Sequence, residues 1–320
     1  MLEKFMKNKT ITKRKSLSTA LLLVVVLALM FIALSISSPN FLSGKNISNL
    51  LRQTSINGVV ALGMTMVIIS AGIDLSVGSI VGFSGVLCAT FMTKSGMSVP
   101  VAITLAVLLS TLVGVFNGIV IYDGKVPPFI ATLGCNTALR GLIMLTTNAR
   151  MIAGLPKTFT NFANSTFLGI PGLTMVWIIL IVITALILKF TVFGRNNYAI
   201  GSNVEASRLS GINVRLTTYG VYTFSAFLCA IAGVMMTARL GNGVPTGGVG
   251  YETDAIASAV IGGASLAGAE GTIIGTVLGA IIMQTLRNGG NLMGINAFIM
   301  EVVIGLLIIG AVLLDKRRKK

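Results

Sequence analysis

Nine carboxylates, 24 basic side chains and no histidine make up the charged inventory of this 320-residue chain. Five of the carboxylates, Asp74, Glu252, Asp254, Glu270 and Glu301, fall inside or beside apolar runs. Within a membrane such groups can bind a coupling ion, the chemistry of a secondary transporter. Paired carboxylates can also act as acid and base in an enzyme. Only Glu252 and Asp254 are close enough in sequence to pair, and an i, i+2 spacing does not bring two side chains together on a helix. The lack of histidine removes His-ligated metal sites, Ser-His dyads and most His-based proton transfer. Cys88, Cys135 and Cys229 are odd in number, far apart and set in apolar stretches. They read as small core residues, with no disulfide framework or metal pair. No metal and no cofactor is expected.

The elements that must position these groups are membrane helices. The chain is 54% hydrophobic, only 10% charged, and has a mean hydropathy of +0.92, far from the soluble norm. Abundant Gly, Ala, Ser and Thr point to closely packed helices, and the alternating ten-residue strands of a barrel are missing. The chain is therefore expected to be an all-α polytopic membrane protein. Ten spans are expected, over 17–37, 53–71, 77–93, 99–122, 128–147, 172–191, 215–238, 253–266, 270–287 and 296–314, the eighth being shorter than a full crossing. Some of them are broken or half helices. The apolar core at 17–37 is too long for a signal peptide, so it is expected to stay as the first span.

Net charge +15 does not mark a nucleic-acid partner, because the basic residues cluster at the two ends and no soluble face carries a patch. Segment 1–16 and tail 315–320 flank the permeation domain 17–314 as basic cytoplasmic anchors. Ten spans put both termini on one side. Sixteen basic residues then face inside, and eight lie outside or in the membrane.

Asp74 stands in the Gly-flanked break GIDLSVGS (72–79). There Asp74 or Ser76 can cap the following helix, or the break can line a water-filled cavity where a carboxylate is tolerated. GSIVG (78–82) and GTIIG (271–275) repeat one pattern, each after a polar, Gly-rich break. Paired interruptions of this kind point to a transport path. Polar side chains within spans are the other path candidates: Asn57, Asn117, Thr132, Asn136, Ser258, Gln284 and Asn288. Each could equally be an interhelical hydrogen bond. Arg140 sits within its span with no partner identifiable from sequence.

Two loops are long. Residues 148–171 form an outside segment with room for a short surface helix. Residues 192–214 form a polar inside segment, helix-compatible from Asn203 to Ser210 and stopped at Gly211. On pattern alone it is either a docking element or a solvated connector.

Four blocks, GIDLSVGSIVG (72–82), VPPFIATLGCNTALRG (126–141), FGRNNYAIGSNVEASRLSGINV (193–214) and GYETDAIASAVIGGASLAG (250–268), resemble the permeases of ribose-type sugar ABC importers, in order and over nearly the whole chain. The resemblance implies a vitamin-B12-importer-like permease architecture in the bacterial inner membrane, paired with a second permease copy. It implies an ABC ATPase subunit on the cytoplasmic face and a periplasmic or lipoprotein sugar-binding protein outside, with membrane lipid around and no nucleic acid. The chain has no phosphate loop of its own and is expected to be a translocation subunit, not an enzyme. The inside loop then matches an importer coupling signature: Glu205, Ala206, Ser207 and Gly211 stand at its spacing, with Arg208 within it and Gly201 ahead of it. Ser207 replaces the usual second alanine. The path candidates taken forward are Asp74, Ser76, Asn117, Thr132, Asn136 and Asn288. An ion-coupled secondary transporter is the alternative.

Overall fold

A computed structural model describes residues 2–318. Among them are thirteen helices and one two-stranded ribbon. The helices that match the expected spans are α1 (Leu2–Ser37), α2 (Gly44–Ile69), α3 (Val77–Thr93), α4 (Val99–Tyr122), α5 (Pro128–Thr147), α7 (Gly172–Phe190), α10 (Val214–Leu240), α11 (Tyr251–Ile261), α12 (Ile273–Leu292) and α13 (Ala297–Arg318). Between them lie α6 (Lys157–Asn164), β1 (Thr166–Phe167), β2 (Ile170–Pro171), α8 (Val192–Ser202) and α9 (Val204–Leu209).

The protein is an all-α polytopic membrane protein. Among the described residues, five helices are long and apolar enough to cross a membrane: residues 20–37 of α1, together with α4, α5, α7 and α10. Helix α3 and residues 297–313 of α13 are shorter apolar helices.

Several boundaries differ from those expected. Helix α1 runs unbroken from Leu2 through the basic start. Helix α2 begins nine residues early, where Ser43 accepts the N–H of Asn46 and caps it. Helix α11 stops at Ile261 rather than 266, at the paired glycines Gly262 and Gly263. The tail is helical to Arg318, and Lys319 and Lys320 lie outside the described residues. A ribbon pairs Thr166 with Pro171 and Phe167 with Ile170. Its two-residue turn is Leu168-Gly169, both at positive φ, the hairpin geometry that suits strand twist.

Helices α2 and α10 form the centre. Most of α2 is buried, with Ile56, Leu62, Met64, Met66, Ile68 and Ile69 wholly so. Polar and small residues lower its hydropathy, which protein neighbours tolerate and lipid would not. Apolar attraction between helices is weak in lipid, so close packing and hydrogen bonds hold them together. Gly114 brings α4 against the backbone of Tyr222, and Gly233 brings α10 against Val81; an added Cβ would lie 2.4 and 2.3 Å from those carbonyls. Thr65 and Thr276 share a 2.6 Å hydrogen bond between α2 and α12. Such bonds contribute roughly 0.6 kcal/mol each. Cys88, Cys135 and Cys229 are free and buried.

Candidate functional site

The α2–α3 break places Asp74 in the interior, with no exposed surface. Its Oδ1 accepts the backbone N–H of Ser76 (2.9 Å) and the Ser76 hydroxyl. Of the two capping candidates, Asp74 therefore takes the orphan N–H at the head of α3, and the Ser76 side chain makes no capping bond. Ser76 Oγ in turn accepts from Asn117 Nδ2 on α4 (2.9 Å). Thr132 on α5 accepts the N–H of Leu75 (3.1 Å) and donates to Pro128. Four candidate residues from three parts of the sequence thus meet at one buried point. Asp74 Oδ2, Asn117 Oδ1, Tyr222 Oη and Ser225 Oγ there are buried with no hydrogen-bond partner.

Asn136 follows Thr132 by one turn of α5, and Arg140 follows Asn136 by another. The i, i+4, i+8 spacing makes one polar column. Asn136 and Arg140 are half-buried. Arg140 Nη1 donates to the carbonyl of Gly247 (2.6 Å), and Arg140 and Glu252 both approach Gly78. This supplies the partner that the sequence did not reveal.

Residues 241–250, GNGVPTGGVG, explain how Gly247 gets there. The segment does not stay outside. Gly243 packs on Ala89, Gly247 carries its carbonyl to Gly82, and Gly248 sits on the carbonyl of Gly78. It therefore descends along α3 from near its end to its first turn, and α11 starts at depth. Non-helical backbone is tolerated there only when buried in protein. Gly243 and Ile152 exchange two 2.9 Å backbone hydrogen bonds, and Arg140 satisfies Gly247. Sequence reading placed a break here but gave no sign that it re-enters.

Asp254 and Glu301 are already engaged. Arg287 on α12 binds Asp254 (2.7 Å) and Glu301 (3.0 Å), joining α11, α12 and α13. Asn288 does not join the Asp74 group. It exchanges hydrogen bonds with Asn46 (3.0 and 2.8 Å) and ties α12 to α2. Ser258 turns back on Asp254 within its own helix. Asn57 and Gln284 are buried, each with one atom lacking a partner.

The inside segment folds as α8 and α9. Asn203 caps α9 by accepting the N–H of Ala206 (2.9 Å). Gly211 follows at φ 79°, the left-handed conformation that ends many helices. Ser207 is buried, while Glu205, Ala206 and Arg208 are exposed. Glu205 and Arg208 form a 3.1 Å surface pair. Leu209 is 89% exposed, an apolar residue on a polar segment that the sequence reading passed over.

Gly201 faces the other way. It is buried on α8, where an added Cβ would come within 1.8 Å of the Ile69 carbonyl. Asn197 donates to the Met66 carbonyl at the end of α2 (2.9 Å). Tyr198 donates to the Gly271 carbonyl ahead of α12 (2.8 Å). Helix α8 thus grips both interrupted elements, the α2–α3 break and the α11–α12 break.

Compared with known proteins, residues 46–312 match a family described as branched-chain amino acid transport system / permease component. The chain is 44% identical over 294 residues to a ribose import permease protein of Bacillus subtilis (strain 168), covering 91% of each. It is 39% identical over 324 residues to a ribose import permease protein of Escherichia coli (strain K12), covering 98% of this chain and all of the relative. It is 34% identical over 369 residues to a xylose transport system permease protein of Haemophilus influenzae, covering 96% of this chain and 98% of the relative. No solved structure matches it.

Proposed function

The chain belongs to the family of branched-chain amino acid transport system permease components, and on that premise we propose that it is the membrane-spanning subunit of an ABC importer for a ribose-type monosaccharide. The named relatives are sugar permeases, for ribose and for xylose. A separate ATPase drives the cycle from the cytoplasmic face. An extracytoplasmic binding protein, periplasmic or lipid-anchored, delivers the sugar. The ten span-matched helices sit in the inner membrane, with the short α11 completing its passage together with residues 241–250, and both termini lie in the cytoplasm, which agrees with the basic-residue asymmetry.

A second permease copy covers the open side of α5. There Gly134 and Gly141 have nothing within 4 Å of an added Cβ, and Leu142 and Leu145 are exposed. Small residues suit close helix pairing in lipid. The half-buried Asn136 and Arg140 lie on the same helix, and lipid is a costly neighbour for them. Asp74, Ser76, Asn117, Thr132 and Asn136 are assigned to the path between the copies. Asn288, paired with Asn46, is assigned a packing role.

The observation that carries the reading is the α8–α9 unit. Helix α9 presents Glu205, Ala206, Arg208 and Leu209 outward, and α8 fastens it to both breaks. Leu209→Asp and Gly211→Leu test it. Gly211 has open space around it but a left-handed backbone, so leucine strains the turn by roughly 1–2 kcal/mol. Both variants are expected at normal membrane abundance, with the ATPase no longer copurifying and uptake lost. Retained docking and uptake in both would return the segment to a plain connector.

A further inference from the structure

Arg140 and Glu252 converge without touching. A Cβ added to Gly78 would lie 2.3 Å from Glu252 Oε2 and 3.4 Å from Arg140 Nη2. The two groups can therefore be no further apart than those distances laid end to end. Yet the ion pairs among the described residues do not include them. Glu252 Oε2 is buried and has no hydrogen-bond partner. Nη1 of the guanidinium is anchored on Gly247, and Nη2 has no hydrogen bond among the described residues.

We propose that this gap is a hydroxyl-bridging subsite on the translocation path, taking one hydroxyl of a polyhydroxylated substrate between the guanidinium and the carboxylate. A hydroxyl oxygen both accepts and donates. Its two hydrogen bonds, meeting at the angle of a hydroxyl oxygen, span roughly 4.5–5 Å from donor atom to acceptor atom, which lies within the bound set at Gly78. Water can bridge the same donor and acceptor, so selection lies in the ring, which holds its hydroxyl at a fixed place. An analogue lacking that hydroxyl leaves the buried donor and acceptor unpaired.

Three features keep the two groups apart. Gly78 and Gly82 leave a groove on α3 where any side chain would meet Gly248, Gly247 or the charged pair. The carbonyl of Gly247 holds the guanidinium away from Glu252. Glu252 lies in the first turn of α11, where the helix dipole favours a carboxylate. Thr132 and Asn136 continue the column from Arg140 down to the Asp74 group. A hydroxylated solute passing along α5 would then meet polar groups at every turn.

The inference rests on the sugar-importer reading, and the test separates the two. Uptake of ribose and of 2-deoxyribose is measured in cells carrying the complete importer with wild-type, Glu252→Gln or Glu252→Asp permease. Membrane abundance and ATPase copurification serve as folding controls. The binding protein is common to all strains, so its own discrimination cancels when their ribose-to-deoxyribose ratios are compared. The expected result is normal abundance and docking, ribose uptake reduced about tenfold in Glu252→Gln, and a ratio shifted at least threefold. Glu252→Asp keeps the charge with a shorter reach; it should retain more uptake and still shift the ratio, which keeps the test open if Gln fails to insert. Reduced uptake with an unchanged ratio would mean a structural role only and would overturn the subsite, as would wild-type uptake in Glu252→Gln. Absence of ribose uptake by the wild-type importer would instead overturn the functional reading, and the subsite with it.

Discussion

The backbone N–H of Ala269 donates to the carbonyl of Ile69 (2.9 Å), so the two Gly-rich interruptions of the chain are joined to each other directly. Gly201 of α8 closes over that bond: a Cβ there would lie 1.8 Å from Ile69 O and 2.8 Å from Ala269 N. Gly268 packs its backbone on Gly201 and Ala71 from the other side. Three segments distant in sequence thus meet through main-chain atoms with no side chain between them.

Gly201 is accordingly a highly size-sensitive position. Gly201→Val should force α8 away from the junction at a cost of about 1–3 kcal/mol or more, the usual range for overpacking. With the ATPase still docked on α9, ATP hydrolysis should continue while uptake falls at least tenfold. The ratio of sugar imported to ATP hydrolysed in reconstituted importer checks this. A ratio equal to wild type would show that α8 does not relay motion.

Asp74 should tolerate loss of charge better than loss of its acceptor. Asp74→Asn keeps an oxygen for Ser76 N–H and caps nearly as well. Asp74→Leu leaves that N–H and the Ser76 hydroxyl without their shared acceptor, a loss of roughly 1–3 kcal/mol for each buried group left unpaired. Thermal unfolding of the purified permease should rank wild type close to Asn and well above Leu. If Asn unfolds as early as Leu, the negative charge matters and the capping account is wrong.

Arg287→Ala should be among the most destabilising single changes. It strands Asp254, whose side chain is 4% exposed, and removing one partner of a buried pair costs about 3–5 kcal/mol. The double change Arg287→Met with Asp254→Leu should recover most of the loss, because it removes both charges. Detergent-resistant abundance of the single and double variants is the measurement. A double variant no better than the single would mean that the network holds α11 to α12 and α13 by geometry that charge removal cannot restore.

Accessibility tests the orientation. Cysteine placed at Lys157 should react with an impermeant thiol reagent added to intact cells, and cysteine at Asn203 should react only after the membrane is opened. The reverse pattern would invert the proposed topology. The native cysteines are buried, so the background should be low.

What could be read in advance follows from physical range. Apolar runs and their glycine or proline ends are local, so helices α3, α4 and α5 were placed to the residue. The caps at Asn203 and Gly211 are local as well, and α9 lies between them as expected. Side-chain pairing is not local. Asn288 has the same polar character as Asn117, and only the fold shows that it faces Asn46 rather than the Asp74 group. Gly78 and Gly82 mark one copy of the repeated element, but the sequence does not show that residues 247–248 pack on them. The expected start of α2 at 53 falls after the charged Lys45 and Arg52, yet both lie in helix, with Arg52 reaching the carbonyl of Asn164.

The buried course of residues 241–250 also dictates an order of assembly. Until α3 and α5 are in place, the Gly247 carbonyl has no Arg140 to meet and the backbone of the segment has no groove to enter. Lipid offers no substitute partner for those groups. The helices are therefore expected to associate first and the segment to seat afterwards, with α11 behind it. Faults in α5 should then surface as a permease in which residues 241–250 stay open to water.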